Sequence, residues 1–276
     1  MHQKFNLALL AFLLFISCRT VISTTAPAPS QQISTAITAQ DHQIQAVLWT
    51  QQAAEYRALT YQAYNLAKLR LDEILAQENT AGKPLAIVTD IDETVLDNSP
   101  YNGKLILTGE EFTDEGWYDW GKQIKAEPVP GALAFFNYAA SRGVSIFYIS
   151  NRDAVQQAET LANLKQAGFP MADEAHILLK TTTSGKEIRR NKVAETHEIV
   201  MLLGDNLSDF TNVFDRQGTE KRYALTDSLQ PFFGKIFIVL PNAIYGDWET
   251  KGIFEGRYDW TAKQQDSIRR KKVEGY

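Results

Sequence analysis

The chain holds a single cysteine, Cys18, among 276 residues, so no internal disulfide can brace the fold. It has no surplus of positive charge: 28 Lys and Arg against 33 Asp and Glu leave a formal net charge of −5. That balance gives no electrostatic footprint for nucleic acid. One basic cluster, IRRKK at Ile268 to Lys272, reads as the solvated face of a last helix. There is no Arg-His-Gly stretch and no Cys-x5-Arg, which argues against phosphohistidine and phosphocysteine chemistry, and no glycine-rich P-loop. The four histidines, His2, His42, His176 and His197, stand outside every motif and read as surface or packing residues. The longest apolar run, Leu7 to Ile16, is too short to span a bilayer comfortably.

That run follows a basic start at Lys4 and has the proportions of a signal-peptide core, so residues 1–17 are expected to be a signal peptide. Cys18 comes directly after it behind the small Ser17. The arrangement resembles the lipobox of bacterial lipoproteins, with Phe15 where that motif prefers leucine. Lipidation at Cys18 is the expectation, and an ordinary cleaved signal peptide with an incidental cysteine is the alternative. Residues 18–40 are rich in Ser, Thr, Ala, Pro and Gln without a periodic apolar face, as suits a flexible tether. The expected location is the bacterial cell envelope, lipid-anchored at the outer membrane.

Residues 41–276 are expected to form the folded domain, beginning with a helical part over 41–84. Asp41 to about Asn79 has good helix formers and no glycine or proline, and predicts two helices broken near Arg57 to Tyr61. Four apolar runs then read as buried strands: LAIVT at 85–89, SIFYI at 145–149, IVMLL at 199–203 and IFIVL at 236–240. Helix-like segments lie between them at Gly131 to Ser141, Ala154 to Gln166 and Lys186 to Thr196. Such alternation predicts an α/β fold, a mainly parallel Rossmann-like sheet with helices on both faces. Ligands of these sheets lie beyond the carboxyl ends of the strands.

The residues just past the runs are the ones that rule singles out. After the first come Asp90, Ile91, Asp92, Glu93 and Thr94; after the second, Ser150, Asn151 and Arg152; after the third, Gly204, Asp205, Asn206, Leu207, Ser208 and Asp209. Carboxylates crowded at the end of a buried strand repel one another unless a cation or donors compensate them. A divalent cation would supply the missing charge. Taken singly, Asp92, Asp97 or Asp209 could be a turn or cap residue; four acids in this order make that reading weak.

DIDET, SNR and GDNLSD, in that order at strand ends, resemble motifs one, two and four of the haloacid-dehalogenase (HAD) superfamily of phosphotransferases. Asp90, Asp92, Asp205 and Asp209 match its four-aspartate phosphohydrolase group. The stretches LWTQQAAEYRALTYQAYNLAK, DIDETVLDNSPY, GDNLSDF and LPNAIYGDWE resemble more narrowly the class C acid phosphatases, bacterial lipoproteins that also act as 5′-nucleotidases. The likeness runs from about Trp49 to Trp248.

That resemblance implies a Mg²⁺-dependent phosphomonoesterase working through an aspartyl-phosphate. Asp90 would be the nucleophile and Asp92 the general acid and base. The family pattern assigns the metal to the side chain of Asp90, the backbone carbonyl of Asp92 and the side chain of Asp205, with Asp209 as further support. Thr94, Ser150 and Asn151 would hold phosphoryl oxygens. The motif-three lysine fits Lys186, in SGKEIRR at a helix start, better than Lys180, which ends an apolar run. Arg189 and Arg190 read as solvated helix charges.

An aromatic-rich insertion over 97–128, with Tyr101, Phe112, Trp117, Tyr118 and Trp120, lies where the superfamily places short caps. Trp117 and Tyr245 match positions expected to stack on a nucleobase, and core packing is the competing reading. The expected substrates are 5′-nucleotides, with nicotinamide mononucleotide a further candidate; a homodimer is left open. Two rival functions keep the fold: a surface lipoprotein that binds a nucleotide or other small ligand without turnover, and phosphoryl transfer between sugars.

Overall fold

The computed structural model describes residues 40–77 and 82–276. The expected signal peptide, the lipidation site Cys18 and nearly all of the tether lie outside the described residues. Five strands form one parallel sheet in the order β5-β4-β1-β6-β7. They are β1 Leu85–Thr89, β4 Ser145–Asp153, β5 Ile177–Lys180, β6 Glu198–Gly204 and β7 Phe237–Val239. The four predicted runs are all present. The fifth strand, β5, is a short edge strand whose ILLK did not stand out from the sequence because it is brief and ends in a charge.

Side-chain alternation along each strand makes two cores, as a parallel sheet covered on both faces requires. Ile87, Ile146, Tyr148, Met201 and Leu203 face one way and pack with Tyr64, Leu71, Phe135 and Phe136. Ala86, Val88, Phe147, Ile149 and Leu202 face the other way, against Val193, Phe210 and Phe237. The first core is closed by α2 (Ala54–Leu75) and α5 (Ala132–Ser141), the second by α7 (Glu187–Thr196). Phe147 also meets the rings of His176 and His197 at 5.0 and 4.9 Å, so these two histidines are packing residues as expected.

The helical break falls at Ala53, between α1 (Ile44–Gln52) and α2, and not at Arg57 to Tyr61. Ala53 takes an extended ψ of 126° although every neighbour is a fair helix former. The cause is tertiary: α2 lies along α5 and β7, whereas α1 turns to meet α3 (Ser99–Thr108) in the insertion. The segment 97–128 holds α3 and α4 (Asp114–Lys122), flanked by a two-stranded antiparallel ribbon of β2 (Leu96–Asp97) and β3 (Glu127–Pro128). Two more helices, α6 (Gln157–Ala167) and α8 (Thr219–Ser228), precede a largely exposed α9 (Ala262–Lys272), where the IRRKK cluster sits. Among the described residues no helix is long and apolar enough to cross a membrane.

Candidate active site

β1 is the central strand, and its carboxyl end delivers Asp90 to the point where β4 and β6 also finish. The Asp90 amide donates to the Leu203 carbonyl at 2.9 Å, fixing the first aspartate against β6. The chain then reverses tightly: the amides of Val95 and Leu96 both donate to the Ile91 carbonyl, at 2.8 and 2.9 Å. Glu93 occupies the left-handed region at φ 60°, an uncommon backbone for a residue with a Cβ. Its buried carboxyl accepts from the Asn98 amide at 3.0 Å, which closes the loop. Burial, with the charges of Asp92, Asp205 and Asp97 added, pushes the Glu93 pKa well above the ordinary carboxylate range.

The loop sends its acids to two separate places. Oxygens of Asp90, Asp205 and Asp209 all lie within 4.8 Å of one another. The Lys186 ammonium, only 5 % exposed, contacts Asp90 and lies 2.6 Å from Asp209. Lys180 is elsewhere, 3.9 Å from Asp153 at the sheet edge, so the structure brings Lys186 to the cluster and leaves Lys180 out. Thr94 is fully buried, and its hydroxyl donates to Asp205 at 3.3 Å; Asn242 donates to the other Asp205 oxygen at 2.8 Å. The Asp209 carboxylate also accepts the Asn206 amide at 2.9 Å. It folds back over Gly204, where any Cβ would lie 2.4 Å from Asp209, so only glycine admits this approach.

Three carboxylates against one ammonium leave this cluster short of positive charge, and the acid–base equilibria register it. Burial, reinforced by Asp209 and opposed by Asn242 and Lys186, pushes the Asp205 pKa up to about 7. Burial also raises Asp90 well above its ordinary value; Lys186 opposes this, and Asp209, Asp205 and Asp92 add to it. Burial works against the charge on Lys186, but Asp209 and Asp90 outweigh it and keep the ammonium above its usual pKa. An all-oxygen, carboxylate-rich set of this kind fits a hard divalent cation.

Asp92 points to the second place. Its carboxylate accepts Arg152 Nε at 2.9 and 3.2 Å, the Ser150 hydroxyl at 3.1 Å and the Asn98 carboxamide at 2.8 Å. A further guanidinium nitrogen of Arg152 lies 2.8 Å away. Arg152 is almost wholly buried and lies 5.3 Å from the centre of the Trp117 ring. The Asn98 oxygen accepts from Trp120 Nε1 at 2.8 Å, tying the insertion to the same network. The Asp92 side chain is therefore outside the Asp90, Asp205 and Asp209 cluster.

Other predicted residues divide. Ser150 is fully buried beside Asp92, but Asn151 is exposed and its oxygen accepts from Arg189 at 2.7 Å. Trp117 is half-buried and packs edge-on against Tyr101 at 5.3 Å. Tyr245 is half-buried on the loop that follows β7, next to Ile244, whose amide is held by Asn242. Arg189 and Arg190 are not solvated charges. Arg190 is buried and donates to the Asp209 carbonyl at 2.8 Å, while Arg189 donates to the Ser150 carbonyl at 2.5 Å. Helix propensity could not show this, because the loops they grip lie far away in the sequence.

Comparison with known proteins agrees with the geometry. The family model described as HAD superfamily, subfamily IIIB (acid phosphatase) matches residues 13–248. Among solved structures, the class C acid phosphatase from Bacillus anthracis superposes with a TM-score of 0.83 and 41% identity, over 87% of this chain and 100% of that one. A second structure of that protein, with tungstate bound, gives a TM-score of 0.82 and 42% identity, over 86% of this chain and 98% of the other. A stem 31 kDa glycoprotein of Glycine max is 31% identical over 50% of this chain, and the class B acid phosphatase of Morganella morganii is 27% identical over 48%. The matched stretches span 56% and 60% of those two relatives. Its fold, the motifs at its strand ends and the span of the family match place this chain in subfamily IIIB of the HAD superfamily, among the acid phosphatases.

Proposed function

We propose that the protein is a Mg²⁺-dependent acid phosphatase that removes phosphate from 5′-nucleotides and other small phosphomonoesters. The observation that carries this reading is the crowding of Asp90, Asp205 and Asp209 around one ammonium, Lys186, next to a separately held Asp92. Asp90 attacks phosphorus and forms an aspartyl-phosphate while the ester oxygen departs. Asp92 gives that oxygen its proton, then takes one from the water that opens the acyl-phosphate. Lys186 and the Ser150 hydroxyl bind the phosphoryl oxygens, with Thr94 holding Asp205 in place. The side chains of Asp90, Asp205 and Asp209 and the backbone carbonyl of Asp92 would hold the cation. When bound, it neutralises charge between the ester and the attacking carboxylate.

The tungstate-bound relative supports an oxyanion site in this fold. Trp117 and Tyr245 are proposed to stack on the base of a nucleotide, nicotinamide mononucleotide included. Lipidation at Cys18 would place the enzyme at the bacterial cell envelope, in the outer membrane. Retention of Asp90 together with Asp92 disfavours a ligand-binding protein without turnover, which needs neither nucleophile nor acid. The test is turnover of a panel of nucleotides and simple phosphomonoesters before and after chelation. Activity lost with EDTA and regained with Mg²⁺ is expected, and full activity after exhaustive chelation would overturn the mechanism. Cys18→Ser should shift the protein out of the membrane fraction; an unchanged distribution would remove the lipid anchor.

A further inference from the structure

Lys186, Arg189 and Arg190 lie at positions i, i+3 and i+4 at the start of α7, so one helix face presents three cations together. Lys186 reaches the carboxylate cluster directly. The two arginines diverge around it. Arg189 donates to the Ser150 carbonyl at 2.5 Å, to the Asn151 oxygen at 2.7 Å and to the Ser184 carbonyl at 3.2 Å. Every hydrogen-bond partner of Arg189 among the described residues is an amide oxygen. Arg190 turns to the end of β6, donating to the carbonyls of Ser208 and Asp209 at 3.2 and 2.8 Å, with Glu187 bracing it at 2.6 Å.

A guanidinium used this way is a spacer with a fixed fork. It satisfies several carbonyls at once at set angles, which the single ammonium of lysine cannot do. Half-burying such a cation with no carboxylate as a hydrogen-bond partner, as at Arg189, costs solvation that the amide oxygens must offset. The arrangement earns its place only through the segments it fixes. They are the carboxyl end of β4, which carries Ser150, and the turn after β6, which carries Asp209, and α7 places Lys186 between them.

We propose that Arg189 and Arg190 are positioning residues with divided tasks: Arg189 sets Ser150 at the end of β4 for the phosphoryl group, and Arg190 sets Asp209 for the divalent cation. This inference rests on the phosphatase reading and adds a division of labour to it. Groups that support a metal ligand typically govern about 10- to 100-fold in metal affinity. Loss of a hydrogen bond to a charged group on the phosphate side corresponds to about tenfold or more in affinity.

The experiment measures two constants separately on the full chain and on Arg189→Lys and Arg190→Lys. Mg²⁺ affinity is read by calorimetry on chelator-stripped protein without substrate, and inorganic phosphate affinity by competitive inhibition at saturating Mg²⁺. Arg190→Lys should weaken Mg²⁺ by about 10- to 100-fold and leave the phosphate constant at its wild-type value. Arg189→Lys should do the reverse. If either variant fails to fold, Glu187→Gln and Asn151→Ala loosen the same two grips more gently and should move the same two constants separately, in the same directions. Parallel shifts of both constants with lowered thermal stability, or no shift in either, would overturn the division. Absence of Mg²⁺ binding to the wild-type protein would instead overturn the phosphatase reading itself.

Discussion

Asp90 and Asp92 are separated by one residue, yet their surroundings are balanced in opposite ways. Asp92 is compensated within the protein: a buried guanidinium, a hydroxyl and a carboxamide occupy its two oxygens. Asp90 shares one ammonium with Asp209 and stands close to Asp205, so the protein leaves negative charge there without a partner of its own. On the proposed function, the carboxylate that would exchange a proton is held still by neutral and cationic donors, whereas the cluster that would receive a cation is left electrostatically incomplete. Preorganised charge of this kind carries much of the catalytic effect in enzymes, because the site does not have to rearrange during the reaction.

The largest effect is expected at Asp90. Asp90→Asn removes the proposed nucleophile while preserving shape, and kcat should fall on the order of 10⁴- to 10⁶-fold, as for other residues that act as a unit. Rapid-quench trapping of the phosphoenzyme should find none in this variant. Asp92→Asn tests the other side. General acid catalysis is typically worth about 10²- to 10⁴-fold, and the loss should be larger for alkyl phosphates than for nitrophenyl phosphate, whose leaving group needs no proton. Equal losses for both ester types would remove Asp92 from that role.

A smaller effect is expected where the insertion meets the site. Stacking of a base on an aromatic ring is worth about 1–3 kcal/mol, so Trp117→Ala and Tyr245→Ala should each lower kcat/KM for 5′-nucleotides roughly five- to 150-fold. Hydrolysis of glycerol phosphate should hardly change. Losses shared by every substrate, with lowered Tm, would assign both rings to packing. Trp117 is the more exposed to that outcome, since it already touches Tyr101 and lies against Arg152.

The parts of this molecule that were legible in its sequence share a cause. Buried parallel strands write themselves as continuous apolar runs, and the chemistry of such a sheet gathers just past them, so Asp90, Asp92, Ser150, Asp205 and Asp209 could be found by position. Lys186 followed from its place at a helix start in a resembling motif. What stayed hidden depends on contacts distant in sequence. Ala53 breaks a helix through packing, not propensity. Asn98, Arg152 and Trp120 meet around Asp92 from three separate segments. Arg189 and Arg190 looked like ordinary surface charges because a helix face gives no sign of which loops will cover it. Asn242 lies in the LPNAIYGDWE stretch, but its sequence position gave no sign that it would hold Asp205 from the loop after β7.

The unbalanced cluster should leave a thermodynamic signature in the stability of the fold. Without metal the fold favours the neutral form of Asp205, whose pKa is moved from its ordinary 3.8 to about 7. The folded protein then binds that proton more tightly than the unfolded chain, so this contribution is full below the ordinary pKa and is lost as pH rises through about 7. A divalent cation needs the carboxylate form and should restore stability in that upper range. The decisive measurement is thermal unfolding of chelator-stripped protein across pH 5 to 8, with and without Mg²⁺. At a free concentration about 100 times Kd, binding adds about 2.7 kcal/mol, or roughly 5–10 °C in Tm for a chain of this size. That gain is expected above pH 7, should decline toward pH 5, and should be lost in Asp205→Asn. A Tm that ignores Mg²⁺ at every pH would contradict a divalent-cation site at this cluster.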